Sequence, residues 1–81
     1  MEIKVKLYGT LRDRCPKGTP LGAHFPLEIT SGSTVNDILE KLNITLDEAK
    51  VVIINSNIVQ DYSFQLNESD LFVCFPPVGG G

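Results

Sequence analysis

The sequence has few of the residues from which catalytic and metal sites are built. Its 81 residues include one histidine, two cysteines and no tryptophan. The lone His24 leaves no His-based metal cluster and no convincing acid–base pair. Cys15 and Cys74 are too few and too far apart for a metal knuckle or a disulfide framework, so we expect reduced thiols. We therefore expect no metal site, no bound cofactor and no catalytic activity of the chain's own.

Long hydrophobic runs and an excess of positive charge are also missing. No apolar run approaches the ~20 residues that cross a bilayer, and the start, MEIKVKLYG, has no signal-peptide hydrophobic region. Both observations favour a cytoplasmic protein without membrane partners. Seven basic against ten acidic residues give a net charge of −3, which argues against nucleic acid because phosphates attract clustered Lys and Arg. The charge weakly favours a positively charged protein partner.

Short alternating segments are what the chain does contain. Residues 2–8, EIKVKLY, alternate apolar and polar side chains, which predicts a half-buried strand. Residues 24–30, HFPLEIT, alternate again, and Pro26 should place that strand at a sheet edge because proline lacks the ladder donor. Residues 51–55, VVIIN, and 71–75, LFVCF, are apolar runs typical of strands inside a sheet. Together they predict four strands, with a further short strand before the last.

One segment, STVNDILEKLN at residues 33–43, has helical periodicity. Thr34 can cap its first turn, and Asp37 places negative charge near the helix N-terminus. A single helix can bury its apolar stripe only against one face of the sheet. We therefore predict one α+β domain over residues 1–81, a mixed sheet of four or five strands crossed by one main helix. The stripe that should pack on the sheet is Val35, Ile38, Leu39 and Leu42.

The last predicted strand is apolar on both of its faces. We expect Val73 to pack beneath the helix, which points Phe72 away from it. Tyr8, at the end of the first strand, adds another aromatic ring. One explanation is a central strand that loops shield; the other is a partner-binding patch beside the C-terminal segment, formed by Tyr8, Phe72 and Phe75.

The closing segment, FPPVGGG, offers one distinctive chemical group, the α-carboxylate of Gly81. Glycine has no Cβ, so such a tail can thread a narrow channel in a partner enzyme. A free carboxylate is ionised at neutral pH, with a reference pKa of about 3.5, and can attack the α-phosphate of ATP. Pro76 and Pro77 should stiffen the exit from the sheet. We expect residues 76–81 to form a flexible tail, which is functional unless it is merely a frayed end.

The order of elements and the glycine ending resemble the β-grasp, ubiquitin-like fold. The segment VVIIN…L..SDLFVCFPPVGGG is similar to the closing segment of the MoaD/ThiS sulfur-carrier family. The likeness is greatest to the small subunits of molybdopterin synthase, and YGTLRD and TVNDILEKL extend it over nearly the whole chain. Turn residues differ, since Ser56 and Ser69 stand where the family often has glycine, and the loop 15–23 is longer and richer in proline. The matching end positions are Phe75, Pro76, Pro77, Val78, a variable Gly79, Gly80 and Gly81.

The resemblance implies a sulfur carrier that is consumed and recharged, with the catalytic residues in its partners. An E1-like adenylyltransferase would use Mg-ATP to activate Gly81, the end of the Gly80–Gly81 pair, as an acyl-adenylate. A sulfur donor of the cysteine desulfurase or rhodanese type would then form a thiocarboxylate. The tail would enter the large subunit of molybdopterin synthase, in a heterotetramer, and pass sulfur to the precursor pterin. Residues 76–79 and the aromatic patch would contact these partners.

Three other functions remain open at the level of sequence. The chain could be a ubiquitin-like modifier joined to lysines of other proteins. It could carry sulfur for thiamine synthesis, tRNA thiolation or tungsten-enzyme maturation. It could also be a ubiquitin-like binding module with inert glycines. Activation at Gly81 is common to the first two and to the molybdopterin pathway, so the tail does not distinguish them.

Overall fold

A computed structural model describes residues 1–78 of the chain. Within these residues the strands form one five-stranded sheet in the order β2-β1-β5-β3-β4. Strands β1 and β5 run parallel, and the remaining neighbours are antiparallel. The predicted mixed sheet with one main helix is confirmed. The elements are β1 (Glu2–Leu7), the 3₁₀ helix η1 (Gly9–Arg14), β2 (Phe25–Glu28), α1 (Val35–Lys41), β3 (Val51–Ile54), β4 (Asn57–Val59) and β5 (Leu71–Phe75).

Pairing with β1 decides which face of the central strand β5 enters the core. Val5 lies opposite Phe72, and Leu7 lies opposite Cys74. Side chains at paired positions project from the same face of a sheet, so the buried face of β1 takes Phe72 and Cys74 with it. Both are 0% exposed. The prediction that Phe72 points away from the helix is therefore wrong, and Val73, expected beneath the helix, lies on the opposite face.

Helix α1 begins at the predicted cap. Thr34 Oγ1 accepts a hydrogen bond from the Asp37 backbone N–H at 3.2 Å. The Asp37 carboxylate in return accepts from the Thr34 backbone N–H at 2.9 Å, which completes a capping box. The predicted stripe is buried and joins one core with the inward residues of β1, β3 and β5. Its members are Val35, Ile38, Leu39 and Leu42.

The turns around β3 and β5 keep a glycine-like backbone without glycine. Asn55, Ser56 and Ser69 have φ angles of 50°, 72° and 68°, in the left-handed region that side chains disfavour. A local network offsets this cost. The Asn55 side-chain amide donates to Asp70 at 2.8 Å, and its oxygen accepts from the Leu71 backbone N–H at 2.9 Å. This network joins the turn after β3 to the start of β5.

The two edge strands are β2 and β4. Pro26, opposite Lys4 on β1, lies in the edge strand β2, as its missing N–H predicts. Strand β4 is three residues long and pairs with β3 alone. No helix within residues 1–78 combines the length and the apolar character that crossing a bilayer requires.

Candidate functional site

The exit of the C-terminal segment lies at the end of β5. Phe75 makes the last ladder contact there, because its carbonyl accepts from the Lys50 backbone N–H at 3.0 Å. Pro76 and Pro77 have no N–H with which to continue the ladder. Pro76 is half-buried and Pro77 is exposed, and Val78 is 90% exposed. The chain therefore turns from the sheet into solvent within three residues.

The predicted reactive end lies outside the described residues. It comprises Gly80 and Gly81, together with the variable Gly79 that was expected to contact partners. The structure therefore bears on the base of the tail and on the surface around it.

Two aromatic rings meet beside this exit. The ring centroids of Tyr8 and Phe75 lie 4.5 Å apart, and the ring planes differ by 7°. The Tyr8 backbone N–H donates to the Cys74 carbonyl at 3.2 Å, which extends the β1–β5 pairing by one residue and sets the rings side by side. Lys6 Nζ lies 5.6 Å from the centre of the Tyr8 ring, within the range of a cation–π interaction. The predicted neighbours Tyr8 and Phe75 are thus brought together.

Around these rings, the face of the sheet opposite the helix is largely apolar, and we call it the outer face. Cross-strand pairing aligns Phe75 with Val51 and Val73 with Ile53. These side chains are half-buried, and Ile58 on β4 is 69% exposed. A patch of partly exposed apolar side chains is a candidate interaction site. The outer face consists of Tyr8, Val51, Ile53, Ile58, Leu71, Val73 and Phe75.

Phe72 was predicted to belong to this patch and does not. Since Phe72 is opposite Val5 on the buried side of β1, its ring lies in the core at 0% exposure and offers no surface to a partner. Phe75 is three residues later, and because side chains alternate between the two faces of a strand, it lies on the outer face. Leu71 and Val73 project to that face as well and were not predicted as surface residues, because both faces of β5 are apolar and only its pairing with the neighbouring strands distinguishes them.

The β1 border of the outer face is basic. Lys4 lies opposite Leu71 and Lys6 lies opposite Val73. The weak expectation of a positively charged partner came from the net charge alone. It stays a prediction, whereas Lys4 and Lys6 by themselves would attract acidic groups to this border.

Helix η1, which was not predicted, lies next to the exit of the C-terminal segment. Leu11 is 0% exposed and anchors the helix in the core. Arg14 Nη2 donates to both carboxylate oxygens of Glu48, at 2.9 and 2.8 Å. Hydrogen bonds from the Thr45 backbone N–H and then from Arg14 lower the pKa of Glu48 below its ordinary value. This charged pair ties the end of η1 to the turn that precedes β3.

The cysteines and the histidine contribute no reactive centre to this surface. Cys74 is 0% exposed, and burial raises the pKa of its thiol to about 11, which keeps it protonated at neutral pH. Cys15 is partly buried at the end of η1, and His24 is exposed on its own. Over the part of the chain that the structure describes, no group of three or more His, Cys, Asp or Glu side chains could hold a metal ion.

Comparison with known families identifies the chain. The model of the ThiS family matches residues 5–81, which include all of the elements above except the first residues of β1, and also the glycine ending. The chain belongs to the ThiS family. Among curated proteins, none matches it.

Solved structures agree with the ThiS-family fold. The solution structure of small archaeal modifier protein 1 from Methanosarcina acetivorans is 30% identical over 99% of this chain and 96% of its own, with a TM-score of 0.66. The crystal structure of small archaeal modifier protein 1 from Haloferax volcanii is 19% identical over 95% and 98%, with a TM-score of 0.72. The ubiquitin-like β-grasp architecture is therefore shared with these two structures.

A third similar structure belongs to a complex. Subunit 1 of the molybdopterin-converting factor from Helicobacter pylori was solved together with subunit 2. It is 19% identical to this ThiS-family chain over 100% of both chains, with a TM-score of 0.61. At this identity the likeness concerns the fold.

Proposed function

We propose that this protein is a sulfur carrier whose reactive group is the carboxylate of Gly81. An E1-like adenylyltransferase would join a carboxylate oxygen to the α-phosphorus of Mg-ATP, with pyrophosphate as the leaving group. The outer sulfur of a persulfide on a cysteine desulfurase or rhodanese type donor would then displace AMP and form an acyl disulfide. A thiol would attack the donor's sulfur in that disulfide, form a new disulfide with the donor and release the thiocarboxylate. Acid–base catalysis in these steps would come from the partners.

One observation carries this proposal: the ThiS-family match runs through the glycine ending to residue 81. The geometry of the exit supports it, since the ladder ends at Phe75 and Val78 is already 90% exposed. An exposed exit followed by glycines suits a segment that must enter a narrow active-site channel, because glycine lets backbone pass where side chains would not.

We propose further that the acceptor is the precursor pterin held by the large subunit of molybdopterin synthase. The support is the spacing Phe-Pro-Pro-Val followed by one residue and two glycines, which resembles the ending of the small subunits of that enzyme. The fold shared with the Helicobacter pylori subunit is consistent with such a pairing. In that pairing Pro76, Pro77 and Val78 would line the entrance to the partner's channel.

A second candidate is conjugation to protein lysines, which a specific observation favours. The relative that is 30% identical is a small archaeal modifier protein. Both functions require adenylation of the same carboxylate and differ only in the group that attacks afterwards. Thiamine synthesis and tRNA thiolation are further acceptor pathways that follow from the same chemistry.

The outer face is the surface we assign to partner docking. It lies beside the tail exit and combines partly exposed apolar side chains with a border that includes Lys4 and Lys6. A partner with an apolar surface edged by carboxylates would complement it. Complementary charge mainly raises the association rate and specificity, whereas the buried apolar contacts supply most of the affinity.

Mass spectrometry tests the central proposal. The protein would be incubated with an E1-like adenylyltransferase, Mg-ATP, a persulfide sulfur donor and a thiol reductant, and we expect a mass gain equal to the exchange of one oxygen for sulfur at Gly81. A variant with one residue appended after Gly81 is the matched control, because it should melt like the native protein and gain no sulfur. Equal sulfuration of the extended variant would refute activation at this carboxylate.

The acceptor is tested with the sulfurated protein. Incubation with the synthase large subunit and the precursor pterin should return the carrier to its original mass if the molybdopterin proposal is correct. Stable carrier mass in that mixture, together with lysine-linked conjugates in a cell extract, would support the modifier function instead.

A further inference from the structure

An unusually close approach occurs where the tail leaves the sheet. Gly9, the first residue of η1, packs against the ring of Pro76. A Cβ placed on Gly9 would lie 2.8 Å from Pro76 Cγ and 3.4 Å from Pro76 Cδ. Because carbon atoms that are not bonded prefer separations of about 3.5–4.0 Å, only a hydrogen fits between them.

Other glycines of the chain show that this approach is specific. Gly18 and Gly32 have φ angles of +89°, so their conformations also favour glycine, but a Cβ on either would meet nothing within 4 Å. At Gly9 the φ angle is +58°, and the ring of Pro76 occupies the space as well. Gly9 therefore permits a turn, as Gly18 and Gly32 do, and it also leaves room for the ring of Pro76 at the base of the tail.

Three interactions hold residues 8–14, the segment that contains Gly9 and packs against Pro76. The Tyr8 backbone N–H donates to the Cys74 carbonyl at 3.2 Å, Leu11 is fully buried, and Arg14 is paired with Glu48 at 2.8 Å. On the other side of the contact, Phe75 is the residue before Pro76, and its ring is held by stacking on the Tyr8 ring. The position of the Pro76 ring is therefore determined by anchored groups on both sides.

We propose that Gly9 is a positioning residue, which seats the Pro76 ring and thereby sets the direction in which the chain leaves the fold at Pro77 and Val78. This inference rests on the proposed function, since its purpose is to present Gly81 to the activating enzyme. A proline ring fixes its own φ near −65°, and a following proline restricts the ψ of the residue before it. The orientation of Pro76 is thus passed on to the chain beyond it.

Because the tail is long, a small change in the direction of its exit displaces its end considerably. The five residues after Pro76 span at most ~17 Å, so a rotation of ~10° at the exit moves a fully extended end by ~3 Å. Misplacement of a reacting group by about 1 Å can lower a rate by about a hundredfold. Because glycine as a residue type adopts many backbone conformations, a partner enzyme would correct part of such a misplacement. For Gly9→Ala we therefore expect a tenfold rather than a hundredfold loss in the rate of adenylation.

The first test compares Gly9→Ala with Gly32→Ala. Both place a side chain at a positive φ, and only the first pushes against Pro76. We expect Gly9→Ala to lower kcat for adenylation about tenfold with KM within twofold of native, because the outer face that docks is unchanged. Gly32→Ala should leave both constants at native values. Equal effects of the two variants, after correction for any unfolded fraction, would overturn the inference.

A second test asks whether Gly9 acts through Pro76. Replacing Pro76 by alanine removes Cγ and Cδ, the two atoms that a Cβ on Gly9 would meet. In the Pro76→Ala background, Gly9→Ala should therefore cause less than a twofold further change in kcat. Such non-additivity is the signature of two residues acting as a unit. A full tenfold loss in that background would show that Gly9 acts by another route.

A third measurement needs no activity. The residual dipolar coupling of the Val78 N–H in weakly aligned protein reports the direction of the tail relative to the sheet. We expect it to change in Gly9→Ala and to stay at the native value in Gly32→Ala. An unchanged coupling in Gly9→Ala would refute the inference. If the native chain is never adenylated, the proposed function fails, and this coupling still decides whether Gly9 sets the exit.

Discussion

Phe72 and Phe75 lie on the same strand, three residues apart, and serve different purposes. Phe72 is fully buried beneath the helix and is the largest of the fully buried side chains. Phe75 is half-buried on the outer face, where its ring stacks on Tyr8 next to the tail exit. The inner face of the sheet therefore holds the fold together. The outer face retains apolar surface that the described part of the chain leaves partly open.

The difference shows that residue type does not assign a role on a strand that is apolar on both sides. The role depends on the face to which the side chain projects, and that face is set by how the strand pairs with its neighbours. Cys74 and Phe72 align with the buried residues of β1 and β3, whereas Phe75 aligns with Val51 on the outer side. Variants on the two faces should therefore separate stability from docking.

The largest expected effect is on the inner face. Phe72→Ala should lower the free energy of unfolding by ~3–5 kcal/mol, because it removes a fully buried ring and leaves a cavity. Urea denaturation followed by circular dichroism measures the change. Phe72→Leu, which keeps much of the volume, should cost clearly less. A loss below about half a kcal/mol, the range of ordinary surface substitutions, would show that Phe72 is not a core residue.

Truncation of the helix stripe should come next. Leu39→Ala should cost ~2–5 kcal/mol, as for other buried leucines, since Leu39 is 2% exposed. Glu40→Ala, on the exposed side of the same helix, is the matched control and should stay within about half a kcal/mol of native. Equal losses in the two variants, measured by the same urea titration, would mean that the helix does not face the sheet as described.

On the outer face, Phe75→Ala should affect stability less and docking more. The stack on Tyr8 contributes about 0.5–1.5 kcal/mol beyond area burial. The KM for adenylation should rise severalfold because the docking surface loses an aromatic anchor. Thermal melting and enzyme kinetics on the same samples would separate the two effects. An unchanged KM would remove Phe75 from the docking surface and leave it a structural residue.

A smaller effect is expected from the basic border. Lys6→Glu should change the free energy of unfolding by less than about half a kcal/mol. It should slow association with an acidic partner, and the difference from native should shrink as salt is added. Lys41→Glu, at the last turn of α1, is the control with the same charge change away from the outer face. Equal slowing by both variants would point to net charge and not to the border.

The smallest effect concerns acid pH. The pKa of Glu48 is lowered in the folded state, so its contribution to stability is present above its ordinary value of 4.5 and is lost as the pH falls through the lowered value. Glu48→Gln should flatten the fall in melting temperature below pH 4.5.

Asp61, whose pKa is lowered by hydrogen bonds from Ser63, provides a control for the acid effect. Asp61→Asn should also reduce the acid dependence. Only Glu48→Gln should disturb η1 and the Tyr8 ring signals at neutral pH. Native-like Tyr8 signals in Glu48→Gln would mean that the pair with Arg14 does not support the outer face.

The sequence by itself determined the strands, the main helix and the family. Alternation along β1, the capped stripe that begins at Thr34 and the proline at the β2 edge are local patterns with a period or a turn residue behind them. They were confirmed because each depends on neighbours a few positions away. The resemblance carried by the segment from Phe75 onward was confirmed by the ThiS-family match.

Tertiary structure alone decided what depends on distant partners. Which face of β5 is buried follows from its pairing with β1 and β3, because both of its alternating sets are apolar. Helix η1 escaped prediction because Leu11 is its one buried residue and leaves no periodic signal. The contact of Gly9 with Pro76 joins positions that are far apart in the chain. Propensity and periodicity describe neighbours in sequence, whereas these features arise from strand pairing, which brings the end of β1 beside the end of β5.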